Sequence, residues 1–179
     1  MHQLATNRIV HRPANAAATG PVKPWVWPLP NLDGVRPCIL PTQDPACADG
    51  AVLIGYPDRT SSRDLVPVFA PQDGVITFAV RADRGAELAL DHPAGWSTQF
   101  KGLEHVIAAS TDRFRRRRKV RVQVGEVLGH IRASLQLRFG LSRLVEGEWI
   151  AVDPAAVVHA WPVLPWFAAS TPHTAQLAG

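Results

Sequence analysis

Seven histidines are the side chains best suited to chemistry in this chain: His2, His11, His92, His105, His130, His159 and His173. Zinc hydrolysis needs about three protein ligands converging on one metal, with a position left open for water. None of the seven stands in an HxH, HExxH or HxxxD spacing. Only His92, His105 and His130 fall inside the β-patterned region, so a metal site drawn from them and Asp58 would have to be assembled by the fold. Asp91 and Glu104 each adjoin a histidine, but in an extended chain neighbours project to opposite sides and form no pair. Ser61, Ser62, Ser97, Ser110, Ser134 and Ser142 have no oriented base in a recognisable context, and no GxSxG, Walker or GxGxxG motif is present.

The strongest local charge signal is "RFRRRRKVR", residues 113–121, in which Arg113, Arg115, Arg116, Arg117, Arg118, Lys119 and Arg121 are basic and nothing is acidic. The whole chain carries +4, so the remainder carries 4 − 7 = −3. Basicity is therefore one local feature on a mildly acidic protein. It reads either as a solvated hairpin tip or as a contact for anionic polymer such as nucleic acid, envelope glycan or lipid. No aromatic and glycine pattern of an RNA-reading sheet accompanies it.

Cys38 and Cys47 lie nine apart in "RPCILPTQDPAC" and could be free or joined in a short loop, the latter implying an oxidising setting. The first twenty residues lack the apolar core of a signal peptide, and no later run is long enough to span a bilayer. Cytoplasmic residence, association with a virion and export by a route not encoded here all fit this reading.

Residues 1–23 are polar, Ala-rich and unpatterned, which predicts a flexible arm. Residues 23–50 form a Pro-studded lead-in, with Trp25, Trp27, Leu29 and Ile39 as its anchors, because Pro excludes an ordinary helix or central strand. From 51 onward, short runs rich in Val, Ile, Leu and Phe are separated by Gly, Asp or Pro turns: "AVLIGY", "LVPVFA", "GVITFAV", "AELALDH", "WSTQF", "KVRVQV", "VLGHIR" and "SLQLRFGL". "PQDG" (71–74) predicts a tight turn between two strands, with Gly74 free to take positive φ. "LEHVIAAS" (103–110) reads as a helical turn or a loop, and Asp153 caps a short helix in "DPAAVVHAW". The domain reading is an arm (1–23), one domain (24–160) and a tail (161–179) whose Trp161, Leu164, Trp166 and Phe167 can dock.

In order, "WPLP" (27–30), "PVFAPQDGVI" (67–76), "LALDHPAGWSTQFKGL" (88–103), "VQVGEVLGHI" (122–131), "LQLRFGL" (135–141) and "EWIAVDP" (148–154) follow one another along the chain. This succession resembles the lysostaphin-like (LytM-type) zinc endopeptidases, which cut peptide cross-bridges of bacterial peptidoglycan. The resemblance covers about residues 25–158. It implies an all-β fold of mainly antiparallel sheets, a duplicated hybrid motif with a barrel-sandwich-like groove, a minor helix and disordered termini.

The family's chemical positions are where the likeness stops. Aligned on Phe100 and Leu103, Gly102 falls on a catalytic histidine. Aligned on Phe139, Gln136 falls on the other catalytic histidine and Arg138 on a zinc-ligand histidine. Ile54 takes the first ligand position, Asp58 is the candidate carboxylate ligand, and His92 matches a family histidine outside the metal shell. Period-two alternation in "LQLRF" independently puts Leu135, Leu137 and Phe139 on one side and Gln136 and Arg138 on the other. Arginine stays protonated and offers only donors, so it cannot ligate zinc.

The expectation is a degenerate, non-catalytic relative with no cofactor. It would bind peptidoglycan peptide or glycan, a partner enzyme or a virion protein, at the cell wall or in a phage-like particle. Arg138 would stand in for the metal by pairing with Asp58 or Asp64. Two alternatives remain at this point. One is an active metallopeptidase with an atypical site from His92, His105, His130 and Asp58. The other is a virion structural or nucleic-acid-binding protein that uses residues 113–121.

Overall fold

The computed structural model describes residues 24–41, 50–57, 65–82, 85–106, 120–132 and 136–165. Eleven strands occur among them: β1 (Cys38–Leu40), β2 (Val52–Gly55), β3 (Leu65–Phe69), β4 (Gly74–Ala82), β5 (Gly85–His92), β6 (Trp96–Leu103), β7 (His105–Val106), β8 (Val120–Val122), β9 (Val127–Arg132), β10 (Leu137–Val145) and β11 (Glu148–Val152). One short helix, α1 (Ala155–Val158), follows. The large sheet runs β1-β2-β10-β6-β5-β4-β8 with β11 alongside β10, and a second sheet runs β3-β9-β7. All pairings between these strands are antiparallel. The described residues are thus all-β with one minor α-helix. No helix among the described residues is long and apolar enough to cross a membrane.

The apolar runs become strands because alternate side chains can reach one core. In β5, Ala86, Leu88, Leu90 and His92 are buried while Glu87, Ala89 and Asp91 are half-exposed. In β10, Leu137, Phe139 and Leu141 are buried while Arg138, Gly140 and Ser142 are not. Val66, Val68, Leu128 and Ile131 of the second sheet join Leu88, Leu90, Phe100, Leu103 and Phe139 of the first in a single apolar cluster.

Ahead of β1, the proline-rich lead-in is held by scattered backbone hydrogen bonds rather than by a ladder. The N–H groups of Val26 and Trp27 donate to the carbonyls of Pro71 and Pro162, and that of Phe69 donates to Pro28. The Tyr56 hydroxyl donates to the Pro30 carbonyl at 2.8 Å. Trp27, Leu29 and Leu32 are buried between these contacts, while Trp25 and Ile39 are half-buried. Past α1, Asn31 N–H donates to the Leu164 carbonyl, so residues up to Pro165 dock against the lead-in.

Two local expectations change. Gly74 is not among the glycines with positive φ. A side chain there would place Cβ 2.8 Å from the Asp91 carbonyl oxygen and 2.8 Å from Nδ1 of His92, so close approach rather than backbone handedness requires glycine. Where "LEHVIAAS" predicts a helical turn or a loop, Leu103 ends β6 and His105–Val106 form β7, paired with His130 and Gly129; residues 107–110 lie outside the described residues. The Asp153 expectation holds: its Oδ1 accepts the Ala155 N–H at 2.9 Å.

Candidate functional site

The face of the large sheet turned away from the core carries Arg138, one of the sequence positions singled out for chemistry. Directly opposed residues of antiparallel strands share a face. Arg138 of β10 lies opposite Lys101 of β6 on one side and Leu53 of β2 on the other. Lys101 lies opposite Glu87 of β5, and their side chains form an ion pair at 3.4 Å. Leu53, Arg138, Lys101 and Glu87 therefore form one row across four strands.

Gly102 and Gln136 flank this row. Gly102 has φ +94°, next to an irregularity in the β5–β6 register, and a Cβ built there would stand 3.4 Å from the Gln136 carbonyl oxygen. The fold thus places Gly102 beside the Gln136 backbone, next to the Arg138–Lys101 pair. Beside them is a cavity of about 30 Å³ lined by Gln99, Lys101, Arg138, Gly140 and Ser142. Lys101 was missed in the sequence, although the alternation of "STQFKGL" puts it on the same face as Gln99.

Ile54 does not join this group. It is fully buried and pairs with Leu137 and Ile39 on the core side of β2. The open-face position beside Arg138 is Leu53. A register shift of one residue moves a side chain to the other face of a strand, and Ile54 belongs to the apolar set. Asp58 and Asp64 lie outside the described residues, and with them the expected contact to Arg138.

Chemically, the row offers a single carboxylate, Glu87, which is paired with Lys101, and otherwise donors and cations rather than lone pairs. Leucine and glycine have no donor atom for zinc, arginine and lysine are protonated, and a glutamine carbonyl is a weak ligand. Among the described residues, no three His, Cys, Asp or Glu side chains gather to hold a metal.

The histidines proposed for an atypical metal site are engaged otherwise or set apart. His92 faces the core beneath Trp25, with ring centroids 5.0 Å apart. Its Nδ1 lies 3.0 Å from the Asp73 carbonyl oxygen and its Nε2 2.7 Å from the Thr98 hydroxyl. A neutral ring with Nδ1–H donating to Asp73 and Nε2 accepting from Thr98 satisfies both contacts. His105 and His130 are paired positions in the second sheet, on β7 and β9. Glu104 is held by Arg132, with Nε–Oε1 at 2.7 Å and Nη2–Oε1 at 2.6 Å.

Burial pushes the His92 pKa down from 6.5 to about 4, against the smaller opposing pull of Asp73. Because the folded value is depressed, His92 favours the native state fully above about pH 6.5. That contribution is lost as pH falls through about 4. The expected loss is about 3 kcal/mol across this window. Urea unfolding at a series of pH values checks it: a His92→Gln variant should lack this part of the slope, and an unchanged slope would contradict the assignment.

Of the basic side chains in the run only Arg121 is described, exposed on β8. Arg113, Arg115, Arg116, Arg117, Arg118 and Lys119 lie outside the described residues, as does Cys47. Cys38 is half-buried on β1.

Comparison with known proteins supplies the context for this geometry. No family model matches the chain, and neither does any curated protein sequence. Among solved structures, a candidate glycyl-glycine endopeptidase lytM from Ruminococcus gnavus superposes with a TM-score of 0.58 at 17% identity, over 80% of this chain and 64% of that one. SpoIIQ in its pore-forming complex with SpoIIIAH gives 0.51 at 14% identity, over 76% of this chain and 91% of the matched one. The protein cbpa from L. salivarius gives 0.50 at 14%, over 76% and 95%. The chain spans less than two thirds of the first of these and nearly all of the other two.

Proposed function

The chain has the fold of the LytM-type peptidases, and we propose that it is a non-catalytic form of that fold which binds or scaffolds at the bacterial cell wall or in a phage-like particle. The observation carrying this reading is the row Leu53–Arg138–Lys101 with Gly102 and Gln136 beside it. Where a metallopeptidase needs lone pairs for a cation, this face presents N–H donors and positive charge. Such a surface suits the carboxylates and peptide carbonyls of a cross-linking peptide, held along the groove by charge-assisted hydrogen bonds. A protein partner is the other kind of ligand this reading allows, since one similar solved structure is a complex of SpoIIQ with SpoIIIAH.

The exposure of Arg121 on β8 supports a second contact, in which residues 113–121 touch anionic polymer. Cosedimentation of the full chain with purified sacculi separates the two. Groove binding should fall roughly tenfold in a Lys101→Glu variant, by removal and reversal of one ligand-facing charge. Binding through the basic run should ignore that substitution and fall steeply with salt. No sedimentation at low salt would overturn both.

A further inference from the structure

On the opposite face of the same sheet, beyond the end of the core, three of the chain's six tryptophans converge. Trp25 of the lead-in, Trp96 of β6, Leu141 of β10, Val157 of α1 and Trp161 wall a cavity of about 150 Å³. Trp25 and Trp161 are stacked, with centroids 4.8 Å apart and planes at 23°. Trp96 meets Trp25 edge-on at 6.0 Å and 74°. Leu141 is buried, whereas the three indoles and Val157 remain half-exposed, so the space opens to solvent on one side.

Trp161 and Val157 also pack against the core cluster, whereas Trp25 and Trp96 stand outside it and leave their rings partly wet. Arg143 stands directly opposite Trp96 across β10–β6, its guanidinium carbon 5.3 Å from the indole centroid. Among the described residues no carboxylate lies within ion-pair distance of Arg143, which is exposed.

We infer that this cavity is a subsite for one pyranose ring bearing a carboxylate, its apolar face packed on Trp25, Trp96 and Trp161 and its carboxylate paired with Arg143. A space of this size takes one six-membered ring. Indole planes gain dispersion contact from the flat C–H face of a sugar, and the open side leaves the hydroxyls in water. Arg143, which has no carboxylate partner among the described residues, selects an anionic sugar over a neutral one. The inference rests on the proposed cell-wall reading for the source of the sugar. The competing occupant is a second copy of this chain, because Val145 and Ile150 on the β10–β11 hairpin are also exposed.

The test uses two sugars that differ by a carboxylate-bearing ether, N-acetylmuramic acid and N-acetylglucosamine, titrated into the full chain while indole N–H resonances are followed. Both should shift the signals of Trp96 and Trp161, the acid binding roughly fivefold more tightly at low salt. Arg143→Gln should abolish that preference, bringing the acid's affinity down to that of the neutral sugar. Trp161→Ala should weaken both roughly tenfold. Val157→Trp, which fills the cavity from α1 without removing an aromatic wall, should do the same if Trp161→Ala fails to fold. Unmoved indole signals, or equal affinity for the two sugars, would overturn the subsite. So would a dimer in sedimentation velocity that Ile150→Glu dissociates. Sacculus binding without sugar binding overturns the subsite and spares the groove reading; sugar binding without sacculus binding overturns the groove reading alone.

Discussion

Pairing Leu53→His with Arg138→His is expected to create a zinc site, whereas pairing Ile54→His with Arg138→His is expected to unfold the domain. Leu53 and Arg138 are directly opposed on the open face of β2 and β10. Opposed residues hold their Cβ atoms about 5 Å apart, a spacing that lets two imidazoles share one metal. Ile54 is fully buried against Leu137 and Ile39. Placing an imidazole there removes a packed aliphatic chain and buries a polar ring, at a cost of roughly 3–5 kcal/mol. Metal content after dialysis, together with urea melts of both double variants, checks the pair. A folded, zinc-retaining Ile54→His/Arg138→His protein would show that β2 presents the opposite face.

Phe139→Ala should cost roughly 3–5 kcal/mol, while Gly140→Ala next to it should cost less than about 1 kcal/mol. Phe139 is fully buried, packs against Phe100 with centroids 5.4 Å apart and meets Trp161 edge-on at 6.2 Å. Its removal would empty the centre of the sheet and loosen a wall of the tryptophan cavity together. Gly140 faces the other way, where an added Cβ would find only ordinary contacts, 3.7 Å to Gln99 and 3.9 Å to Ala51. Chemical denaturation of the two variants reads the contrast. Similar losses for both would mean that the two faces of β10 are equally packed.

Much of this architecture was legible in local pattern. The alternation of "LQLRFGL" separated Leu137 and Phe139 from Arg138, and the structure keeps that separation because one face of β10 meets the core. What failed depended on distance through space. Ile54 was placed by counting back from "PVFAP" through residues 58–64, and an error of one position suffices to exchange faces. Gly74 looked like a turn glycine, yet its reason is the nearness of Asp91 and His92, almost twenty residues further on. The strand at Glu148–Val152 went unread as a strand, although the segment was quoted for its likeness. Nothing local announces that Trp25, Trp96 and Trp161 share a cavity, since three elements far apart in the chain build it.

The central claim is that this fold binds through its groove without cutting. Its most direct test is to incubate the full chain with purified peptidoglycan sacculi and added zinc. The sedimented protein and the soluble peptide fragments are then measured in the same sample. The account predicts protein in the pellet and no fragments above those of a protein-free control. Fragments released in proportion to protein, and abolished by a chelator, would contradict it.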